Sequence, residues 1–194
     1  MTSRSTDSPV TRRTALAGLG AGGLGLALAV TARHAAALDA TAETMADHPI
    51  VGVWNAMTPG GPSLATFLAD GSATFANPTT AADPARGVVY QSASVGTWEP
   101  TGPRGVHFTA SLVITDANGA HLGYYTNDAY PVVSEDGQTL LDDQSQGKVT
   151  IRDAAGATVQ EFATAGAPPV TGIRMGVGAP GFPAVTSTSA TPTS

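Results

Sequence analysis

The chain has 194 residues, no cysteine, 15 acidic residues against nine basic ones, and a formal net charge of −6. An acidic chain without a basic cluster is repelled by nucleic acid and by anionic lipid, so we expect neither as a partner. The absence of cysteine excludes disulfides, thiolate metal sites, iron–sulfur clusters and a thiol nucleophile.

The first segment of the chain has the pattern of an export signal. Arg12 and Arg13 precede residues 15–30, which carry no charge and consist mainly of Ala, Gly and Leu. A paired arginine ahead of a short apolar segment is read by the twin-arginine exporter of bacteria, so this machinery is an expected partner. The small residues Ala35 and Ala37 predict cleavage after Ala37 and hence a twin-arginine signal peptide over residues 1–37.

Cleavage would leave a secreted or extracytoplasmic chain with five basic and fourteen acidic residues. The apolar segment is short and rich in glycine for a membrane span, so we expect no stable span after cleavage; an uncleaved anchor is the alternative. Residues 38–48 are small and acidic and predict a linker.

After Pro49 the chain consists of short β-like runs separated by Gly, Asp, Asn and Pro. The clearest hairpin signal is Asp70-Gly71, between the runs 63–69 and 72–77. No later stretch shows a sustained helical period with caps. We therefore expect an all-β domain over residues 49–176, an antiparallel up-and-down meander barrel of about eight or nine strands. Closure into a barrel removes the exposed edges that a flat sheet would have.

The run 106–115 shows the alternation of a half-buried strand. Phe108 and Leu112 share one face with other apolar residues, whereas His107, Thr109 and Ser111 lie on the opposite face. The period of two predicts that the apolar face lines the barrel interior. Residues 177–194 are rich in Pro, Ser and Thr and carry no charge, which predicts a disordered tail.

Two G-x-W motifs carry a resemblance to a known family. Gly52 and Trp54 open the first strand, and Gly96 and Trp98 repeat the motif 44 residues later. With the F-x-x-D-G hairpin at 67–71, these residues make the chain resemble the lipocalins and their calycin relatives, including small secreted bacterial proteins described as lipocalin-like. The resemblance implies a lipocalin-like barrel whose floor Trp54 closes, with Arg174 packed across the indole. These five residues are therefore expected to be structural.

The run 122–130 holds the best candidates for a polar site. Its alternation places Tyr124, Thr126, Asp128 and Tyr130 on the face of Leu122. If Leu122 faces inward, Asp128 enters the barrel, where an unpaired charge is costly and needs partners. Asp128 would then anchor a polar ligand atom or act as a general acid or base. The alternative is that this face is reversed, or that Asp128 lies at the rim in water.

The remaining chemistry-bearing residues form no recognised motif. No nucleophile elbow, phosphate loop or dinucleotide fingerprint is present, and we expect no cofactor. The histidines lack metal-site spacing and the acidic pairs lack EF-hand spacing, so we expect no metal site. The residues concerned are His48, His107 and His121, and the pairs Glu135-Asp136 and Asp142-Asp143.

These patterns favour a non-catalytic barrel that binds a small apolar or amphipathic molecule. One alternative is a barrel isomerase or cyclase resembling allene oxide cyclases or dirigent proteins, with Asp128 and Tyr124 as the acid–base pair. A second is an envelope interaction module with a filled barrel. The expected ligand-binding residues are Phe108, Leu112, Tyr124, Thr126, Asp128 and Tyr130.

Overall fold

Turns rich in glycine and aspartate divide the chain into short antiparallel strands. The computed structural model describes residues 45–83 and 86–182, so the predicted signal peptide, residues 38–44 and residues 183–194 lie outside the described part. No helix within the described ranges is long and apolar enough to span a membrane. The described strands are β1 (Gly52–Thr58), β2 (Gly61–Phe67), β3 (Ser72–Ala76), β4 (Thr80–Asp83), β5 (Gly87–Gln91), β6 (Ser94–Pro100), β7 (Val106–Thr115), β8 (His121–Ala129), β9 (Val132–Val133), β10 (Thr139–Asp142), β11 (Lys148–Asp153), β12 (Thr158–Ala163) and β13 (Val170–Arg174).

The strands form one antiparallel sheet that curls strongly, in a barrel-like manner. Its order is β12-β11-β8-β7-β6-β3-β2-β1-β13-β10-β9, and the β4–β5 hairpin joins it through β7. A single antiparallel bridge links Gly105, just before β7, to Val132 in β9. The curl therefore brings β9, at one end of the strand order, next to the start of β7, in its middle.

The expected meander of eight or nine strands is not confirmed. The described residues contain thirteen strands, and several sequence neighbours are not sheet neighbours. Strand β3 pairs with β6 because β4 and β5 form a separate hairpin, and β13 pairs with both β1 and β10. The run 120–133 divides into β8 and β9 at Pro131, which has no backbone N–H to donate to a ladder.

Two local predictions are confirmed. Strands β2 and β3 pair through the Asp70-Gly71 turn, where Gly71 has a φ of +84°. Hydrogen bonds from the hydroxyl and the backbone N–H of Ser72 lower the pKa of Asp70. In β7, alternate residues from Val106 to Leu112 are buried. The period-two pattern therefore identified the inner face of this strand correctly.

The main core fills one end of the curled sheet. Trp54 and Trp98 are buried there, and each indole N–H donates to a backbone carbonyl at 2.8 Å, of Ile50 and of Leu68 respectively. Phe67 packs edge-on against Trp98 with ring centroids 6.2 Å apart. Burial of these large rings closes this end, which we call the closed end.

Part of the predicted linker belongs to this core. Met45 and His48 are buried at the closed end instead of lying in a solvated connection. His48 accepts a hydrogen bond from the N–H of Ile50 on Nδ1 at 3.2 Å, and its Nε2 lies 3.1 Å from the carbonyl oxygen of Gly102. These contacts assign the proton of the neutral ring to Nε2. The folded domain thus extends at least to Met45.

Arg174 ties the last strand to the first. Its guanidinium carbon lies 4.3 Å from the Trp54 ring centroid, and it donates to the backbone carbonyls of Val51 at 2.9 Å, Gly137 at 2.6 Å and Pro49. Arg174 thus covers one face of the Trp54 indole. Desolvation lowers the pKa of Arg174. Gly52 has a φ of +141°, and a Cβ there would lie 2.6 Å from the guanidinium, which explains the glycine before Trp54.

Residues 177–182, in the segment predicted to be a disordered tail, include a contact to β1. The side-chain amide of Asn55 donates hydrogen bonds to the carbonyl oxygens of Pro180 and Gly181. Asn55 itself is buried. The segment as far as Gly181 therefore belongs to the described fold.

Candidate functional site

A cavity of about 570 Å³ lies within the curl, on the side away from the two tryptophans. The exposed residues Pro59, Thr80 and Ala165 stand where it meets the surface. Most of its wall is apolar. The residues that form this wall include Ala56, Ala65, Phe67, Phe75, Phe108, Ala110, Leu112, Ala129, Leu140, Val149 and Phe162.

Strands β7 and β8 supply the centre of this wall. Phe108 and Leu112 line the cavity from β7, as the alternation of the sequence predicts. From β8, however, the lining residues are Tyr125, Asn127 and Ala129. The structure thus brings together two of the six residues predicted to bind a ligand.

The other four lie on the opposite, outer face of β8. Tyr124, Thr126 and Asp128 alternate with the lining residues of this strand, and Tyr130 continues the same series. The pairing with β7 fixes this face: Phe108 and Leu112, which line the cavity, lie opposite Ala129 and Tyr125. Directly paired residues point to the same side of a sheet, so the even-numbered residues of β8 point outward. The alternative of a reversed face is therefore the one observed.

On the outer face, Asp128 belongs to a network of polar side chains. Thr109 donates a hydrogen bond to its carboxylate, and Nε2 of His107 lies 3.6 Å from the same carboxylate oxygen. Nδ1 of His107 is 3.3 Å from Glu99, and the Tyr130 ring stacks on His107 with centroids 4.5 Å apart. Asp128 is thus a partnered surface carboxylate. The cyclase-like alternative requires Asp128 and Tyr124 as an acid–base pair inside the cavity, and both residues lie on the outer face.

Among the described residues that line the cavity, Asp142 is the one with an acidic or basic side chain. It is only 3% exposed, and its two carboxylate oxygens accept hydrogen bonds from the backbone N–H groups of Gln144 at 2.8 Å and Tyr130 at 3.3 Å. From the sequence, Asp142 is considered only as one of an acidic pair that lacks the spacing of a calcium site. The signal that identifies it is alternation: Leu140 and Asp142 share the inner face of β10, with Leu141 between them exposed.

Further polar residues line the cavity, and Ser63, Tyr125 and Asn127 are three of them that the sequence did not identify. Ser63 is 5% exposed, and its hydroxyl oxygen is the one buried side-chain polar atom in the described ranges that has no hydrogen-bond partner. The Asn127 amide and the Tyr125 hydroxyl lie on the same cavity wall. Burial raises the pKa of Tyr125, so its phenol keeps its proton and remains a donor.

The site is a largely apolar cavity with a few polar side chains in its wall. Apolar walls with a few fixed polar groups are typical of small-molecule pockets. No group of three His, Asp or Glu residues within 45–83 and 86–182 has the arrangement to hold a metal ion. Comparison of the chain with protein-family models, with curated proteins and with solved structures gives no match.

Proposed function

We propose that this chain is an exported, lipocalin-like barrel that binds a small amphipathic molecule in the cavity without transforming it. The observation that carries the proposal is the cavity itself, about 570 Å³ with mostly apolar walls and a few polar side chains. Its size falls within the range of pockets for small organic molecules. An envelope interaction module with a filled interior is disfavoured by the same observation.

Two features support the lipocalin-like part of the proposal. Both tryptophans of the G-x-W motifs pack at the closed end, and Arg174 covers the indole of Trp54. In addition, ladders and the Gly105–Val132 bridge join eight strands into a closed series, whose order is β7-β6-β3-β2-β1-β13-β10-β9. We propose that these strands constitute the barrel proper, that β8, β11 and β12 extend the sheet from β7 over the cavity, and that the β4–β5 hairpin is an addition.

Filling the cavity should abolish binding. In Leu112→Trp, the indole would occupy space in the cavity, because the Leu112 side chain forms part of its wall. We expect calorimetric titration with dodecanol to show binding to residues 38–194 and none to the variant. Val113→Trp is the matched control, since Val113 is the next residue of β7 and is exposed on the outer face.

Thermal unfolding of both variants separates a filled cavity from a damaged fold, since overpacking costs typically about 1–3 kcal/mol. Binding that is retained by a folded Leu112→Trp variant, or lost equally in Val113→Trp, would count against the cavity as the binding site. Absence of dodecanol binding to the unsubstituted chain would count against an amphiphile-binding barrel.

The export part of the proposal rests on Arg12 and Arg13 ahead of the uncharged segment 15–30. We expect the double substitution Arg12→Lys and Arg13→Lys to leave the full-length chain inside the cell, because the exporter reads the arginine pair and not merely positive charge. Immunoblotting of cell and culture fractions measures this. The control is Arg4→Lys with Arg33→Lys, which makes the same exchange outside the pair. Equal export of both double variants would refute the twin-arginine assignment.

A further inference from the structure

The charge inside the cavity has one sign. Among the described residues that line it there is no Lys, Arg or His, whereas Asp142 contributes a carboxylate. Asp142 also belongs to none of the ion pairs among the described residues, which join other residues on the outer surface. The cavity wall therefore contains one carboxyl group, whose polar partners, as far as the described residues show, are two backbone N–H groups.

The turn that follows β10 does not require the side chain of Asp142 to be buried. Asp70, Asp136 and Asp143 each accept a hydrogen bond from the backbone N–H two residues ahead, as Asp142 does, yet all three are exposed. Water can serve the remaining lone pairs of those three carboxylates. Asp142 forms the same kind of turn with its carboxylate withdrawn among apolar side chains, where a charge lacking a counter-charge is costly.

A second observation comes from the opposite part of the wall. The Ser63 hydroxyl is buried and has no hydrogen-bond partner among the described residues, although a hydroxyl can both donate and accept. Buried polar groups are normally satisfied, so an unsatisfied one in a cavity wall is a position where a ligand atom can complete the hydrogen bonding. The side chain of Asn127 is a further polar group of this wall without a described hydrogen bond.

We infer that the cavity selects amphiphiles with a cationic amine head group, which forms an ion pair with Asp142, while an apolar chain lies along the walls near Phe108 and Leu112. This inference rests on the proposed function. An ammonium carries three donors and no acceptor, which complements the Asp142 carboxylate. A fatty acid would bring a second carboxylate next to Asp142, with no lining cation to compensate it, and is therefore disfavoured.

The test compares three probes with the same twelve-carbon chain: dodecylamine, dodecanol and dodecanoate. Each is titrated calorimetrically into residues 38–194, below its aggregation concentration, in physiological salt. We expect the amine to bind about tenfold to a hundredfold more tightly than the alcohol, as a charge-assisted hydrogen bond in a dry site would give. The alcohol should in turn bind more tightly than the carboxylate. This comparison uses the unsubstituted protein and does not depend on any variant folding.

Two variants locate the effect. Asp142→Asn should reduce the preference for dodecylamine over dodecanol to about twofold or less, since the amide removes the charge. Asp143→Asn changes the net charge equally at the neighbouring exposed position and should keep the full preference. It therefore controls for attraction of cations to the acidic surface.

The outcomes separate the two proposals. If dodecanol binds in the cavity but the amine has no advantage, or if the advantage persists in a folded Asp142→Asn variant, the amine inference is overturned and the binding function stands. If dodecanoate binds as tightly as the amine, the inference is likewise overturned. If none of the three probes binds, both proposals fail.

Discussion

Replacing Arg174 by Ala should reduce the free energy of unfolding by roughly 3–5 kcal/mol. Hydrogen bonds to charged groups contribute about 1.5–3 kcal/mol each and a cation–π contact about 0.5–2 kcal/mol, and these contributions are not fully additive. The substitution removes the donor to the carbonyls of Pro49, Val51 and Gly137, together with the contact to Trp54. Urea denaturation followed by far-ultraviolet circular dichroism measures the change.

Arg104→Ala is the matched control for this experiment. Arg104 is exposed and donates to one backbone carbonyl, that of Val133 at 3.1 Å. We expect it to lose less than about 1 kcal/mol, as is usual for a single exposed contact. Arg174→Lys should lie between the two, because it keeps the charge but not the planar fork of donors. Equal losses for Arg174→Ala and Arg104→Ala would show that the closed end does not depend on Arg174.

The Gly96→Ala substitution should be about as damaging, at roughly 3 kcal/mol or more. A Cβ at this position would lie 2.0 Å from the carbonyl oxygen of Thr109 and 2.6 Å from the Cα of Ala110, both backbone atoms of the neighbouring strand. Backbone cannot move aside as a flexible side chain does, so β6 and β7 would have to separate next to Trp98. The same denaturation measurement gives the loss.

The control is a Gly→Ala substitution at a position where the added Cβ has open space. Gly102 lies in the exposed turn between β6 and β7, with open space around its added Cβ and no left-handed φ. Gly102→Ala should therefore be neutral or stabilise the fold by up to about 1 kcal/mol, because alanine restricts the unfolded chain. A loss of similar size at both glycines would exclude the close approach of β6 and β7 as the cause.

The closed end and the site differ in how far the sequence predicts them. The G-x-W motifs and Arg174 follow from short local patterns and a family resemblance, and the alternation in β7 points Phe108 and Leu112 to the correct face. In β8, the alternation is present, but the pairing of Leu112 with Tyr125 decides which face is inward. Local periodicity cannot show this, since the choice of face depends on the register of the partner strand.

The strand order and the buried carboxylate illustrate two further limits. That β13 lies between β1 and β10 depends on contacts between residues more than a hundred positions apart, which no local pattern encodes. Asp142 and Asp143 are adjacent and chemically identical, yet one is buried and the other exposed. Their difference follows from the parity of β10, which can be counted from Leu140 once the inner face of that strand is known.

The position of β13 also has a consequence for how the molecule can acquire its structure. Because β13 fills the gap between the first strand and β10, both of those strands keep an open hydrogen-bonding edge until the last part of the domain has been synthesised. Strands cannot simply be added in order from the N-terminus to a growing sheet. Such non-local closure is slow compared with hairpin formation. A nascent chain that ends before residue 170 therefore carries unpaired edges, and completion of the fold is a single late event in biosynthesis.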